Sequence, residues 1–251
     1  MFEGVLIKSQ KEIGIMRESG KILRDAHLLL GEKIKEGMST LDLDKIAYNF
    51  ITAHKAKPSF LGYNGFKGTA CISVNEELLH GIPRSDKIIQ NGDIVKIDLG
   101  VLLNGFHTDA ARTHAVGEVK PEHLTLIEHT RKSFFKGLEF ANESRRLGDI
   151  CHNIGAYLDG LGYGVVKAYI GHGVGARLHE PPDIPNYGAA GRGIRLKAGM
   201  TFAIEPMVAM GGGEVEVLND GWTVVTEDGS MCAHYENTVL ITDGEPEILT
   251  L

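Results

Sequence analysis

Four acidic residues stand in stretches where an acid is costly. Asp98 and Asp109 lie in DIVKIDLGVLLNGFHTDAARTHAV, two β-rich runs between Asp93 and Val116 joined by Asn104-Gly105. Glu205 interrupts the apolar run Thr201 to Val208, with Pro206 directly after it, and Glu236 sits in the mostly apolar stretch Tyr235 to Ile241. A carboxylate in a buried strand loses its hydration and needs a partner or a bound cation. For Asp98 and Asp109 the partner could be Lys96, Arg112 or a nearby histidine, or a shared divalent cation, since hard cations take oxygen ligands. No cluster of Arg or Lys matches all four acids, so the full set points to metal. One divalent ion leaves two negative charges uncompensated; two ions neutralise the set. Taken alone, His172 between Gly171 and Gly173 reads as a turn residue. Beside four carboxylates it reads as the nitrogen ligand, because it adds no charge and its glycines allow close approach. Carboxylate-rich sets with one His favour Mn, Fe or Co over a cysteine-type zinc site.

Two such ions lower the pKa of a water and hold the carbonyl it attacks. That is hydrolysis without a serine or cysteine nucleophile, and no GxSxG or Cys/His signature is present. Glu205 could take the water's proton and pass it to a leaving amine. Two histidines recur in matched settings, Leu79-His80-x-x-Pro83 and Leu178-His179-x-x-Pro182. Flanking the metals, they could bond a substrate carbonyl or amine.

The elements that must position these groups follow from local pattern. Asn104-Gly105 marks a tight hairpin, because both residues tolerate positive φ. Counting outward pairs Leu103 with Phe106, Gly100 with Asp109 and Asp98 with Ala111. Asp98 and Asp109 then share a face as diagonal neighbours, roughly 7–8 Å apart. Apolar spacing predicts a helix from Ser9 to Gly31 with Glu12 completing its cap, and a second from Ser39 or Thr40 to Ala53. A second helical pair follows from Glu122 to Phe140 and from Leu147 to Leu161. Strands are expected at Cys71 to Val74, Val165 to Ile170, Met200 to Val208 and within Gly221 to Thr242. The order repeats: each half (8–117 and 121–243) runs helix, helix, strand, loop, strands. Gly92 precedes Asp98 by six residues as Gly199 precedes Glu205, and Asp109 has a later partner in Glu236. No linker-like composition separates the halves. The reading is one α+β domain over 1–251 with pseudo-twofold symmetry and helices on one face of a mostly antiparallel sheet.

Composition narrows the partners. The 251 residues carry a net charge of −7 with no run of Lys and Arg, which argues against a nucleic-acid or anionic-membrane surface. No apolar segment approaches the ~20 residues of a membrane span. The N-terminus, with Glu3, lacks the basic-then-apolar pattern of a signal peptide. Cys71, Cys151 and Cys232 are odd in number without CxxC spacing, which fits small buried residues in a reducing compartment.

The motifs LLHGIP, DIVKIDLG, GFHTDAARTHAVG, GHGVGARLHEPP, GMTFAIEPMV and DGWTVVTEDGSMCAHYENTVLIT resemble those of the type I methionine aminopeptidase family, from Ile7 to Leu249. That family shares the pita-bread fold with Xaa-Pro aminopeptidases, prolidases and creatinase. The resemblance implies that Asp98, Asp109, His172, Glu205 and Glu236 hold two divalent ions. It also implies that His80 and His179 are catalytic and that Glu205 shuttles protons. The implied activity removes the initiator methionine from new polypeptides when the second residue is small. The implied setting is a cytoplasmic monomer in transient contact with the ribosome. The family's methionine pocket maps onto Phe60, Tyr63, Phe66, Cys71, Leu178 and Trp222. Phe60 stands where bacterial members usually have Cys, and Leu178 where they usually have Phe, so the pocket's depth and shape depart from the common pattern. An aromatic and sulfur-lined hollow suits a thioether on physical grounds too. Competing readings are a dipeptidase or Xaa-Pro aminopeptidase, which usually carry an extra N-terminal domain, and a binding module that has lost its metals. Retention of all five ligand positions argues against the latter.

Overall fold

The computed structural model describes residues 4–251, so Glu3 lies outside the described residues. Four α-helices form among them: α1 (Gln10–Lys33), α2 (Thr40–Ala53), α3 (Pro121–Leu138) and α4 (Leu147–Asp159). The Ser9 hydroxyl accepts the Glu12 amide while the Glu12 carboxylate accepts the Ser9 amide, the reciprocal cap its sequence predicts. Ser39 and Asp42 cap α2 in the same way. α3 has Pro121 in its first turn, where a missing N–H costs no helical bond. No helix is long and apolar enough to cross a membrane among the described residues.

The strands that frame the site are, in chain order, β1 (Ala70–Val74), β2 (Glu77–Leu79), β3 (Ile94–Leu103), β4 (Phe106–Ala115), β5 (Gly171–Gly173), β6 (Glu180–Ile184), β7 (Thr201–Ile204), β8 (Met207–Ala209), β9 (Val224–Thr226), β10 (Cys232–His234) and β11 (Asn237–Leu240). Their pairings are antiparallel. β3 lies between β1 and β4 in the first half, and β7 lies between β5 and β11 in the second, so one three-strand order occurs twice. Leu23, Ala26 and Leu30 of α1 share a core with Ile97, Leu99 and Ala110. Phe134, Ile150 and Ile154 of α3 and α4 share another with Phe202, Ile204 and Val239. This is the expected α+β architecture with pseudo-twofold halves.

The β3–β4 hairpin has the register counted from its turn: Leu103 with Phe106, Gly100 with Asp109, Asp98 with Ala111. Asn104 and Gly105 take φ of 48° and 87°. The acid-bearing strands of the two halves then meet at Ala111 and Glu236, which exchange backbone hydrogen bonds of 3.3 and 3.0 Å. On either side of that pair the ladder is completed by threonine hydroxyls. Thr238 Oγ1 accepts the Asp109 amide and donates to its carbonyl. Thr113 Oγ1 does the same for His234. These bonds relate Ala111 to Glu236, Thr113 to Thr238 and Asp109 to His234 by a local twofold. The motif order pairs Asp109 with Glu236 instead; the shift is two residues, a full strand period, which keeps the side chain on the same face.

Two stretches differ from their expected form. The strand foreseen at Val165 to Ile170 is confined to Gly164–Val165, because Lys167 and Ala168 are both exposed and break the alternation a half-buried strand needs. The Leu178 to Pro182 loop turns into β6 at Glu180; Pro181 and Pro182 are tolerated because β6 is an edge strand.

A buried ion pair fastens this edge. Lys8 Nζ lies 2.7 Å from Glu180 Oε2, with side chains 4% and 0% exposed. The other Glu180 oxygen accepts the Arg177 amide at 3.0 Å, so the stretch carrying Leu178 and His179 is tied to the N-terminal segment. Removing the cation leaves a buried charge without compensation. Lys8→Met is therefore expected to lower stability by about 3–5 kcal/mol, read as a fall in the urea unfolding midpoint.

Candidate metal centre

The acids are brought together by register. Ile204 pairs with Asn237 and Met207 with His234, which sets Glu205 opposite Glu236. Pro206 has no N–H for the ladder, and at the break the Glu236 backbone pairs with Ala111 instead. One row across the sheet runs Cys71, Asp98, Ala111, Glu236, Glu205. Residues opposite one another share a face, so three acids project the same way, and Asp109, two positions from Ala111, joins them. Ala111 places only a methyl group between Asp98 and Glu236.

His172 reaches this face from β5, not from a turn. A Cβ on Gly171 would lie 2.4 Å from the Ala203 carbonyl oxygen, and one on Gly173 2.3 Å from that of Pro181. Glycine on both sides lets β5 lie tight between β6 and β7. His172 Nδ1 donates to the Gly173 carbonyl at 2.9 Å, which leaves the Nε2 lone pair for a ligand. That Nε2 is 3.6 Å from Glu205 Oε1 and 3.9 Å from Asp109 Oδ2. Donor atoms of Asp109, His172 and Glu236 lie within 4.8 Å of one another, as do those of Glu205, His234 and Glu236.

Neither cation named in the hairpin neutralises these acids. Lys96 Nζ donates to the Asn75 carbonyl at 2.6 Å. Arg112 donates to the carbonyls of Ala111, Glu236 and Thr250 and to the Asn237 side chain. Among the described residues, histidines alone come within 4.0 Å of the four carboxylates as ion-pair partners. One oxygen each of Asp98, Asp109 and Glu236 is buried with no hydrogen-bond partner. A buried, anionic, oxygen-rich set with one free imidazole nitrogen fits divalent cations.

Electrostatics in the cluster agrees with that fit. Burial, opposed by His234 and reinforced by Glu205, pushes Asp98 up to about 7. Burial, then the charges of Asp98 and Glu205, raises Asp109 well above the carboxylate range, and Glu236 rises for the same kind of reason. Burial also raises Glu205. The imidazoles move the opposite way: burial brings His80 and His234 down to about 4 and His172 to about 3, and lowers His179. All four rings are neutral near pH 7, able to ligate or hydrogen-bond. The Cys71 thiol is pushed well up by burial and by Asp98 and Asp109, so it stays protonated and is a wall, not a nucleophile.

The thirteen residues singled out in the sequence line one cavity of ≈ 180 Å³. Its apolar end is the cluster of Phe60, Phe66, Cys71 and Leu178, with Trp222 edge-on to Phe66 at 5.1 Å between centroids. Leu178 is fully packed into that wall. A Cβ on Gly100 would lie 2.7 Å from Ser59 Cβ and 2.9 Å from Phe60 Cε1, so the missing side chain opposite Asp109 leaves the space that Ser59 and the Phe60 ring take. Tyr63 stands at the rim, and its hydroxyl is 2.8 Å from His179 Nδ1. His80 takes a positive φ of 58° and sits edge-on to Tyr169 and Trp222. Sequence reasoning missed Asn64, which also lines the cavity, and His234. His234 could have been found from strand alternation, since it precedes Glu236 by two residues.

The Asp98 shift sets a pH test. A carboxyl whose folded pKa is about 7, against 3.8 for the unfolded chain, binds more protons when folded; its contribution to stability is lost as pH rises through that window. In metal-free protein, Asp98→Asn is expected to raise the melting temperature relative to the original chain, with a gain that grows from about pH 5 to about pH 8. With saturating Mn at the upper pH the original chain becomes the more stable. Calorimetry of both proteins checks the sign.

Comparison with known proteins places this geometry. The model of Metallopeptidase family M24 matches residues 14–243. The methionine aminopeptidase of Clostridium acetobutylicum is 50% identical over 247 residues, 98% of this chain and 99% of that one. The crystal structure of methionine aminopeptidase from Thermotoga maritima matches with a TM-score of 0.96 and 43% identity, covering 98% of this chain and 99% of that chain. The prolidase of Pyrococcus furiosus matches with a TM-score of 0.76 and 26% identity, covering 98% of this chain but 65% of that chain. The fold is the pita-bread fold. The chain belongs to metallopeptidase family M24.

Proposed function

We propose that this protein removes the N-terminal methionine from new polypeptides whose second residue is small. The observation that carries the reading is the join of two environments in one cavity. A buried carboxylate and imidazole set without Lys or Arg opens directly onto a hollow of Phe60, Phe66, Cys71 and Leu178. Sulfur and aromatic groups suit a thioether side chain. Asp98, Asp109, His172, Glu205 and Glu236 would hold two divalent ions, Mn, Fe or Co. When bound, such ions supply Lewis acidity and a water that is nucleophilic at neutral pH.

The remaining steps belong to this chain's side chains. Glu205 takes the proton of the attacking water and delivers it to the departing amine. With the Tyr63 hydroxyl donating across its 2.8 Å contact to His179 Nδ1, the ring proton sits on Nε2, free to bond the carbonyl oxygen as charge develops there. His80, neutral and fixed between Tyr169 and Trp222, faces the scissile bond from the other side. The whole chain acts as one catalytic domain, as a monomer in the cytoplasm in transient contact with the ribosome.

Metal-free protein is expected to be inactive and to recover turnover of Met-Ala-Ser with Mn, Fe or Co, while Met-Lys-Ser and Ala-Pro substrates stay uncut. Full activity after exhaustive chelation, or preference for Ala-Pro, would overturn the reading. His179→Ala is expected to cut kcat by about 10²–10³ with metal content unchanged. Loss of metal in step with activity would make His179 a ligand instead.

A further inference from the structure

His234 has no role among the predicted ligands, yet it is one of the most buried polar residues, 1% exposed, and both its ring nitrogens lack a hydrogen-bond partner. Its Nε2 faces Glu205 Oε2 at 3.5 Å and Glu236 Oε2 at 4.0 Å. The other Glu205 oxygen faces His172 Nε2 at 3.6 Å. The Glu205 carboxylate thus lies between two imidazoles, one facing each oxygen. The backbone of His234 is fixed as firmly as that of Asp109, by the Thr113 hydroxyl on its amide and carbonyl.

The two imidazoles differ in where their proton goes. His172 has a carbonyl for its Nδ1–H, the arrangement that frees Nε2 to bind a cation. His234 Nδ1 has no acceptor. A neutral ring carries one proton, and in His234 the side with acceptors is Nε2. We infer that His234 is a positioning residue that donates its Nε2–H to Glu205 Oε2, fixing that carboxylate so that its other oxygen is presented to the ions and the substrate. It is a donor to the acid, not a further ligand. The inference rests on the proposed role of Glu205.

The test compares the original chain with His234→Gln, whose amide N–H has similar reach, His234→Leu, which has the volume without a donor, and His234→Asn, whose donor is too short. Metal-free proteins are titrated calorimetrically with Mn, and kcat and KM are measured for Met-Ala-Ser. Equal metal stoichiometry in all four proteins is expected. The Leu and Asn variants should lose about 10–100-fold in kcat with KM within about threefold, and Gln should stay within about fivefold of the original. If the Leu variant does not fold, the Asn and Gln pair carries the same contrast. Loss of one metal equivalent would make His234 a ligand and overturn the inference. So would unchanged kcat in the Leu or Asn variant, or a Gln variant as impaired as these. Turnover by the original chain tests the peptidase reading separately, and the metal titration separates ligand from donor whatever that turnover is.

Discussion

The two hydrogen bonds exchanged by Ala111 and Glu236 are the contact from which the site is built. They lock the register of one half-sheet to that of the other, and through the β3–β4 ladder and the Glu205–Glu236 apposition they fix every acid in the row. A slip of one residue at this seam would turn the second half's acids to the opposite face. Between β4 and the stretch Cys232 to Leu240, direct backbone pairing is limited to this step, and the steps on either side are spanned by Thr113 and Thr238 hydroxyls. The strands can therefore diverge without leaving buried amides or carbonyls unpaired.

The seam brings like charges together, so the fold must supply what the site alone cannot. Moving a carboxylate out of water costs several kcal/mol even after relaxation. Against this stand two apolar cores, in which each fully buried aliphatic or aromatic side chain contributes about 1.5–3 kcal/mol. The cations nearest in sequence are spent elsewhere. Lys96 satisfies a loop carbonyl, and Arg112 stitches the carbonyls of Glu236 and Thr250 to its own strand. Among the described residues, no Lys or Arg forms an ion pair with the four carboxylates, and these two cations stabilise the backbone beneath them, with Arg112 close enough for its charge to act on Glu236.

Much of this is legible in the sequence, and the parts that are not have a common cause. Asn104-Gly105 fixes one register, and alternation then fixes which way Asp98 and Asp109 point. Ser9 with Glu12 fixes where α1 begins. What is lost is whatever depends on strands distant in sequence. The true repeat partner of Asp109 is His234, and only the cross-half threonine bonds reveal it. The Lys8–Glu180 pair joins residues 172 positions apart, and nothing local to either marks it. His172 is legible as a ligand beside the four acids, but its place in a strand is not: glycine is permissive, and the close neighbours that require it in β5 come from β6 and β7.

Gly100 has a further consequence. Its missing side chain leaves room for Ser59 and Phe60, from a loop before β1, so that the Phe60 ring enters the hollow beside the row of acids. The cavity's two ends are therefore encoded in separable parts of the chain, the metal-facing end in strand register and the apolar end partly in a loop. An exchange at position 60 would reshape the apolar end of the cavity while the strand register that fixes the row of acids stays as it is.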